Sequence, residues 1–182
     1  MTSIATRYLG LDLKSPIIAG SSNFTSSVDS IREAEAAGAG AVVLKSLFEE
    51  QIVSLASSLA SKESYPEADD YLNYYTRTNS VDKYLELVTQ ARKSVKIPVI
   101  ASINCFSPKG WTDFAVDIEK AGASALEVNI FFMPVDMHQT ATEAEMVYLK
   151  IIDSLKKKLT IPISVKIGLR FSNLLNFVWQ MH

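Results

Sequence analysis

The sequence has a single cysteine, Cys105, and two histidines, His138 and His182, in 182 residues. One cysteine excludes an internal disulfide and fits a reducing compartment. With so few soft ligands a familiar zinc cluster cannot form, so no metal site is expected. No apolar run approaches the roughly 18 residues of a membrane span. The opening M-T-S-I-A-T-R-Y-L-G lacks the basic-then-apolar layout of a signal peptide. An excess of charge is missing too: 18 basic against 20 acidic side chains give a net charge of -2. That supplies no field for nucleic acid or an anionic membrane. G-x-S-x-G, P-loop and G-x-G-x-x-G motifs are absent, which leaves serine hydrolase, ATPase and dinucleotide-fold chemistry without a signature. What is present is ordinary, 48% hydrophobic and 21% charged. A cytosolic globular protein with residues 1–182 as a single domain is expected.

Short β-rich runs alternate with helical patterns. The runs are 16–21, 41–46, 98–104, 125–131 and 162–168, each nearly continuous in apolar residues, as in parallel strands covered on both faces. Between them, Val81, Tyr84, Leu85, Val88 and Val95 share a helical face, as do Trp111, Phe114, Ala115 and Ile118. The clearest set is Ala144, Val147, Tyr148, Ile151, Ile152, Leu155 and Leu159. That helix opens with a capping-box pattern at T-E-A-E (142–145) and closes on Lys156, Lys157 and Lys158, cations that suit a helix end. A weak repeat reinforces the alternation: runs one, three and five follow a proline, and runs two and four follow A-G-A at 37–39 and 121–123, where glycine can close a helix. Residues 6–15 read as a short hairpin that would plug the bottom of a barrel.

Residues 47–80 are longer than ordinary βα connections of about 2–6 residues. Phe48, Ile52, Leu55 and Leu59 predict a small helix there, and the aromatic, acidic S-Y-P-E-A-D-D-Y-L-N-Y-Y reads equally as a lid or substrate loop or as a structural flap. After the fifth run, F-S-N-L-L-N-F-V-W-Q-M-H opens a sixth helix with no cap. Five βα units fit a doubly wound sheet or part of an eight-stranded barrel, which takes about 250 residues.

Polar residues gather at the carboxyl ends of the runs, where such folds place their sites. They are Gly20-Ser21-Ser22-Asn23, Lys45-Ser46, Asn104-Cys105, Glu127 with Asn129, and Lys166. A lysine ending an apolar strand must answer to something anionic or electron-rich. Two lysines, two asparagines and small residues at one mouth suit a planar polar ligand. Cys105 reads as a small buried hydrophobe, since neither histidine is placed beside it by a motif.

In the order Y-L-G-L-D-L-K-S-P-I-I-A-G-S-S, A-G-A-G-A-V-V-L-K-S, A-L-E-V-N-I and P-I-S-V-K-I-G, the sequence resembles dihydroorotate dehydrogenases and their dihydroorotate dehydrogenase-like relatives. The resemblance implies an α/β fold: a partial (β/α)8 TIM barrel of about five βα units preceded by an N-terminal β-hairpin. It implies an FMN-dependent oxidoreductase of pyrimidine biosynthesis that passes hydride from a dihydropyrimidine-like small molecule to FMN. Ala19, Gly20 and Ser21 would lie against the flavin, Lys45 and Ser46 would contact its ring system, and Asn104 and Asn129 would hydrogen-bond flavin or substrate. Lys166 would sit at the N1 and O2 edge and stabilise negative charge there. The family's cysteine or serine base follows the strand-four asparagine, where this sequence has Ile130-Phe131-Phe132-Met133-Pro134. Neither Phe132 nor Met133 accepts a proton. Two alternatives follow: a flavin barrel acting on a different small substrate, or an inactive fragment without the phosphate loops that the family draws from its last strands. Open sheet edges would favour a homodimer or oligomer.

Overall fold

A computed structural model describes residues 3–49, 66–104, 108–133, 135–169 and 171–181. Ile52, Leu55, Leu59, Cys105, Pro134 and His182 lie outside the described residues, as does the side chain of Trp111.

The expected hairpin is present. Strands β1 (Thr6–Tyr8) and β2 (Leu11–Leu13) pair antiparallel. Leu9 and Gly10 join them with φ of 53° and 75°, the two left-handed residues of a tight I′ turn. Then come β3 (Ile18–Ala19), a 3-10 turn (Asn23–Ser26), α1 (Val28–Ala36), β4 (Ala41–Val43), β5 (Leu47–Phe48) and α2 (Pro66–Ser94). The chain continues through β6 (Val99–Asn104), α3 (Pro108–Lys120), β7 (Ala125–Asn129), α4 (Ala141–Lys156), β8 (Ile163–Lys166) and α5 (Leu174–Met181). The strands form one parallel sheet in the order β3-β4-β6-β7-β8, with β5 also on β6. It is an α/β fold, a curled half-barrel with helices packed on its outer face.

Alternation along each strand separates two layers. Val42, Leu44, Val99, Ala101, Ile103, Leu126 and Val128 face the helices and join Ile31, Val88, Ile118 and Leu155 in the larger core. On the inner face, Ala41, Val43, Ile100 and Ala125 pack beneath Leu13 of the hairpin. These residues sit toward the amino ends of the strands, so the hairpin plugs the bottom. Tyr8 Oη lies 3.0 Å from Ser164 Oγ on β8 and pins the plug to the far side of the sheet.

The A-G-A repeat has a structural partner that the sequence did not advertise. Gly38 and Gly122 have φ of 98° and 95°, which closes α1 and α3 at little steric cost. Both belong to a longer repeat, E-x-A-G-A. Glu35 accepts the amides of Lys96 and Ile97 at 2.8 and 3.1 Å. Glu119 accepts Thr160 N, Thr160 Oγ1 and Ile161 N at 2.8, 2.6 and 3.0 Å. Each carboxylate bolts the end of one helix to the I-P step that starts a later strand. The Thr160 hydroxyl, with the amides of Thr160 and Ile161, holds the Glu119 carboxyl below its ordinary range. A depressed carboxyl stabilises the fold above its unfolded pKa of about 4.3, and that contribution is lost as pH falls through the folded value. Glu119→Gln is expected to cost about 1 kcal/mol near neutrality, discounted for solvent exposure. The gap from the parent in urea midpoint should close as pH drops from about 5 toward 3; a pH-independent gap would contradict the carboxylate's role.

Several expectations are corrected. The capping box of α4 is Thr140 with Glu143, not T-E-A-E at 142–145: Glu143 N donates to Thr140 Oγ1 at 3.3 Å and Thr140 N donates to Glu143 Oε2 at 2.8 Å. Glu145 is thereby released to hold Ser172 on the following loop. Phe48 lies in a strand, because its segment finds an open stretch of β6 to pair with. The acidic, aromatic stretch from Pro66 is helical and continuous with α2. Proline suits a first helical position, and no internal glycine or proline breaks the run. Run two stops as a strand at Val43 rather than Ser46. Helix α5 has an N-terminal cap, since Asn176 N donates to Asn173 Oδ1 at 3.1 Å.

Candidate functional site

The site is organised by a defect in the ladder. Val43 pairs with Ile100 and Leu47 with Ile103, so the β4–β5 side spends four residues where β6 spends three. The extra residue makes a bulge, a device that re-aims side chains. Its backbone is taken up elsewhere: Lys45 N donates to Thr25 O at 3.2 Å, and Ser46 N to Ser21 Oγ at 3.0 Å. Opposite the bulge, the buried amide and carbonyl of Ser102 have no strand partner on that side. Tyr84 fills the gap from α2, accepting from Ser102 N at 2.8 Å and donating to Ser102 O at 2.9 Å. Burial pushes the Tyr84 phenol well above its ordinary value, so it stays a donor.

From the bulge a row of polar groups crosses the inner face. Ser21 Oγ lies 3.0 Å from Ser46 Oγ, and Ser46 Oγ lies 2.7 Å from Ser102 Oγ. Ser102 Oγ donates to Glu127 Oε1 at 3.0 Å, and Lys166 Nζ donates to the same oxygen at 2.9 Å. Counting protons fixes the direction of every bond. A carboxylate only accepts and a hydroxyl has one proton. Ser102 spends its proton on Glu127, so Ser46 must donate to Ser102 and Ser21 to Ser46. The three dipoles therefore all point toward Glu127, and such aligned bonds reinforce one another. At the far end, the Glu127 side chain is 16% exposed and that of Lys166 is 46% exposed. Lys166 is thus held from below by a largely buried carboxylate, with two ammonium protons left for the mouth.

The anticipated residues divide into two groups. Ser21, Ser46 and Lys166 belong to the polar row, and Asn129 is the register partner of Lys166. Ala19 ends β3, and Gly20 follows it with open space where a Cβ would be. Lys45 is exposed on the bulge and Asn104 is half-buried at the end of β6; neither side chain is drawn into the row. Ser102 and Tyr84 escaped sequence reasoning, because a serine inside an apolar run and a tyrosine on a helix face look like core. Glu127 was visible as a strand-end polar group, but not as the residue on which Lys166 rests.

Beyond Asn129, alternation puts Phe131 on the inner side. Its ring lies 3.8 Å from where a Cβ of Gly168 would stand. Phe132 turns outward, edge-on to Tyr148 with ring centres 5.4 Å apart. Among the described residues no cluster of three or more metal-ligating side chains occurs, and no helix is long and apolar enough to cross a membrane.

With this geometry established, comparison with known proteins extends the sequence resemblance. The catalytic subunit of dihydroorotate dehydrogenase B (NAD(+)) from Thermoplasma volcanium is 23% identical over 184 residues, covering 96% of this chain and 57% of the relative. The chain is similar to dihydroorotate dehydrogenases. It spans little more than half the length of that relative. An IMP dehydrogenase/GMP reductase-like protein from Corynebacterium glutamicum superposes with a TM-score of 0.53 at 14% identity, over 98% of this chain and 46% of the other. That likeness shows the fold, a TIM-barrel-type sheet. A phosphonopyruvate hydrolase, at a TM-score of 0.48 and 16% identity over 84% of this chain and 48% of its own, is too loose a match to add to it. No family model matches the sequence.

Proposed function

We propose that the chain binds the isoalloxazine ring of FMN at the carboxyl ends of its strands, as part of an oxidoreductase for a small dihydropyrimidine-like substrate. The observation that carries this is the polarised row from Ser21 to Glu127, which presents Lys166 to the mouth with donors to spare. The residues suit such a ring. Open space beside Gly20 leaves flat backbone for its face. Asn104 and Asn129 offer a donor and an acceptor each to a heterocycle edge. Lys166, with Lys45 further out on the bulge, supplies positive charge where an electron-rich ring edge would lie. When bound, the flavin would accept hydride from the substrate. Glu127 keeps Lys166 in place whether or not the mouth is filled, so little ordering remains to be done on binding.

A second reading shares the flavin but changes the substrate, and Phe131 favours it. This aromatic ring stands on the inner face beyond Asn129, and Phe131, Phe132 and Met133 all lack a proton acceptor. The substrate would then be a planar small molecule whose oxidation needs no base at that position. Self-association also remains part of the proposal, supported by the exposed apolar face of α5, where Leu175 and Trp179 are 84% and 76% accessible.

The test is the visible spectrum of the purified chain after incubation with FMN and removal of the excess. A retained, shifted flavin band is expected, with affinity at least about tenfold weaker in Lys166→Ala, the loss of one charge-assisted contact. A folded but colourless protein would end the flavin proposal.

A further inference from the structure

Behind the mouth, on the outer side of β7 and β8, a cavity of about 310 Å³ lies between α4 and the loop that leads into α5. Phe132, Val147, Tyr148 and Phe171 form apolar walls, and Glu145, Gln139 and Ser172 are its polar side chains. The Phe132 and Phe171 rings stand at 88° and 74° to Tyr148, with centres 5.4 Å away in both pairs. Phe177 stacks on Phe171 at 4.3 Å and 14°, which backs that wall from the core. The aromatic walls are thus held by the fold and do not await an occupant.

Glu145 is the unusual member. It is half-buried, and Ser172 N and Oγ donate to its Oε1 at 2.9 and 2.7 Å. Those neutral donors orient the carboxylate, yet no lysine or arginine among the described residues pairs with it. A half-buried carboxylate with no cation beside it among the described residues favours a cationic neighbour. Here it lines a cavity with three aromatic rings among its walls, those of Phe132, Tyr148 and Phe171, and the faces of such rings attract cations. The exposed surface next to it, formed by Asp136, His138, Gln139 and Glu143, carries two further carboxylates and no lysine or arginine.

We infer that this cavity is a binding site for a compact organic cation bearing methyl groups, such as a quaternary ammonium head. A permethylated nitrogen has no N–H groups to satisfy, which matches a cavity poor in acceptors, and its methyl surface can lie against the rings while Glu145 balances the charge. A bare metal ion would find too few oxygen ligands, and a primary ammonium would forfeit more hydration. The inference is independent of the flavin proposal, because the cavity lies on the helix side of the sheet and Lys166 on the other.

The probe is tetramethylammonium, titrated into the full chain with aromatic ring resonances followed by NMR, beside tert-butanol as an uncharged molecule of similar shape. Saturable shifts of the Tyr148 and Phe171 signals are expected, with tetramethylammonium bound at least tenfold more tightly than tert-butanol. Glu145→Gln, which keeps an acceptor for Ser172, should remove that preference. Phe171→Leu, which keeps an apolar wall, should weaken tetramethylammonium more than tert-butanol. Equal binding of the two probes, or an unchanged preference in Glu145→Gln, would overturn the cation assignment. Absence of saturable shifts with either probe would overturn the site.

Discussion

Tyr84→Phe is expected to lower the unfolding free energy by about 2–4 kcal/mol, a large effect for one oxygen atom. The ring would keep its place in the core, where Tyr84 is 8% exposed. What is lost is the hydroxyl that closes the ladder opposite the bulge, and both the amide and the carbonyl of Ser102 would be left buried without that partner. Each orphaned group costs about 1–3 kcal/mol. Urea unfolding should show a lower midpoint at an unchanged slope. The parent protein should also lose stability as pH rises above about 10, where the unfolded chain ionises its tyrosines and the native phenol, raised by burial, does not. Tyr84→Phe should lose less over that range. A shift below about 0.5 kcal/mol would mean that Ser102 finds other partners at no cost, and that the bulge does not depend on α2.

Gly40→Ala is expected to be at least as damaging, about 3 kcal/mol or more. A Cβ at this buried position would overlap the backbone carbonyl of Ser15. The obstacle cannot rotate away, because Ser15 is itself buried and Gly40 N donates to Ile17 O at 2.7 Å in the same contact. Relief would require moving the whole segment that leads into β3, and with it Gly20 and Ser21. Gly20→Ala is the matched control. Nothing lies within 4 Å of its added Cβ, so stability should stay within about 0.5 kcal/mol of the parent. If the flavin proposal holds, the same methyl group should obstruct FMN. Thermal unfolding of the two variants side by side decides the comparison; equal melting temperatures would remove the close approach at Gly40 as a determinant of the fold.

Much of the architecture could be read from local pattern. The prolines before runs one, three and five, the A-G-A closures and the continuous apolar runs located every strand of the half-barrel except β5. They did so because parallel strands and amphipathic helices each carry their own periodicity. The misreadings are instructive in the same terms. Thr140 and Thr142 both precede a glutamate by three residues, and only the path of the chain decided which pair caps α4. Phe48 fits a helical face, yet open hydrogen-bonding groups on β6 drew it into a strand. Phe131 and Phe132 are neighbours of one residue type, and strand alternation sent one to the inner face and the other against Tyr148.

The sequence by itself determined the α/β class, the plug hairpin, the order of the βα units and the set of polar residues at the strand ends. These follow from side-chain spacing within a few residues of each position, and spacing survives without any knowledge of the whole. The tertiary structure alone decided what those residues do to one another. The single-residue mismatch between β4–β5 and β6, the tyrosine that closes it, the one-way row of hydroxyls and the carboxylate beneath Lys166 join residues 18 to 56 positions apart in successive links. Their partners are chosen by strand register and by the count of available protons, and neither quantity exists until the sheet has formed.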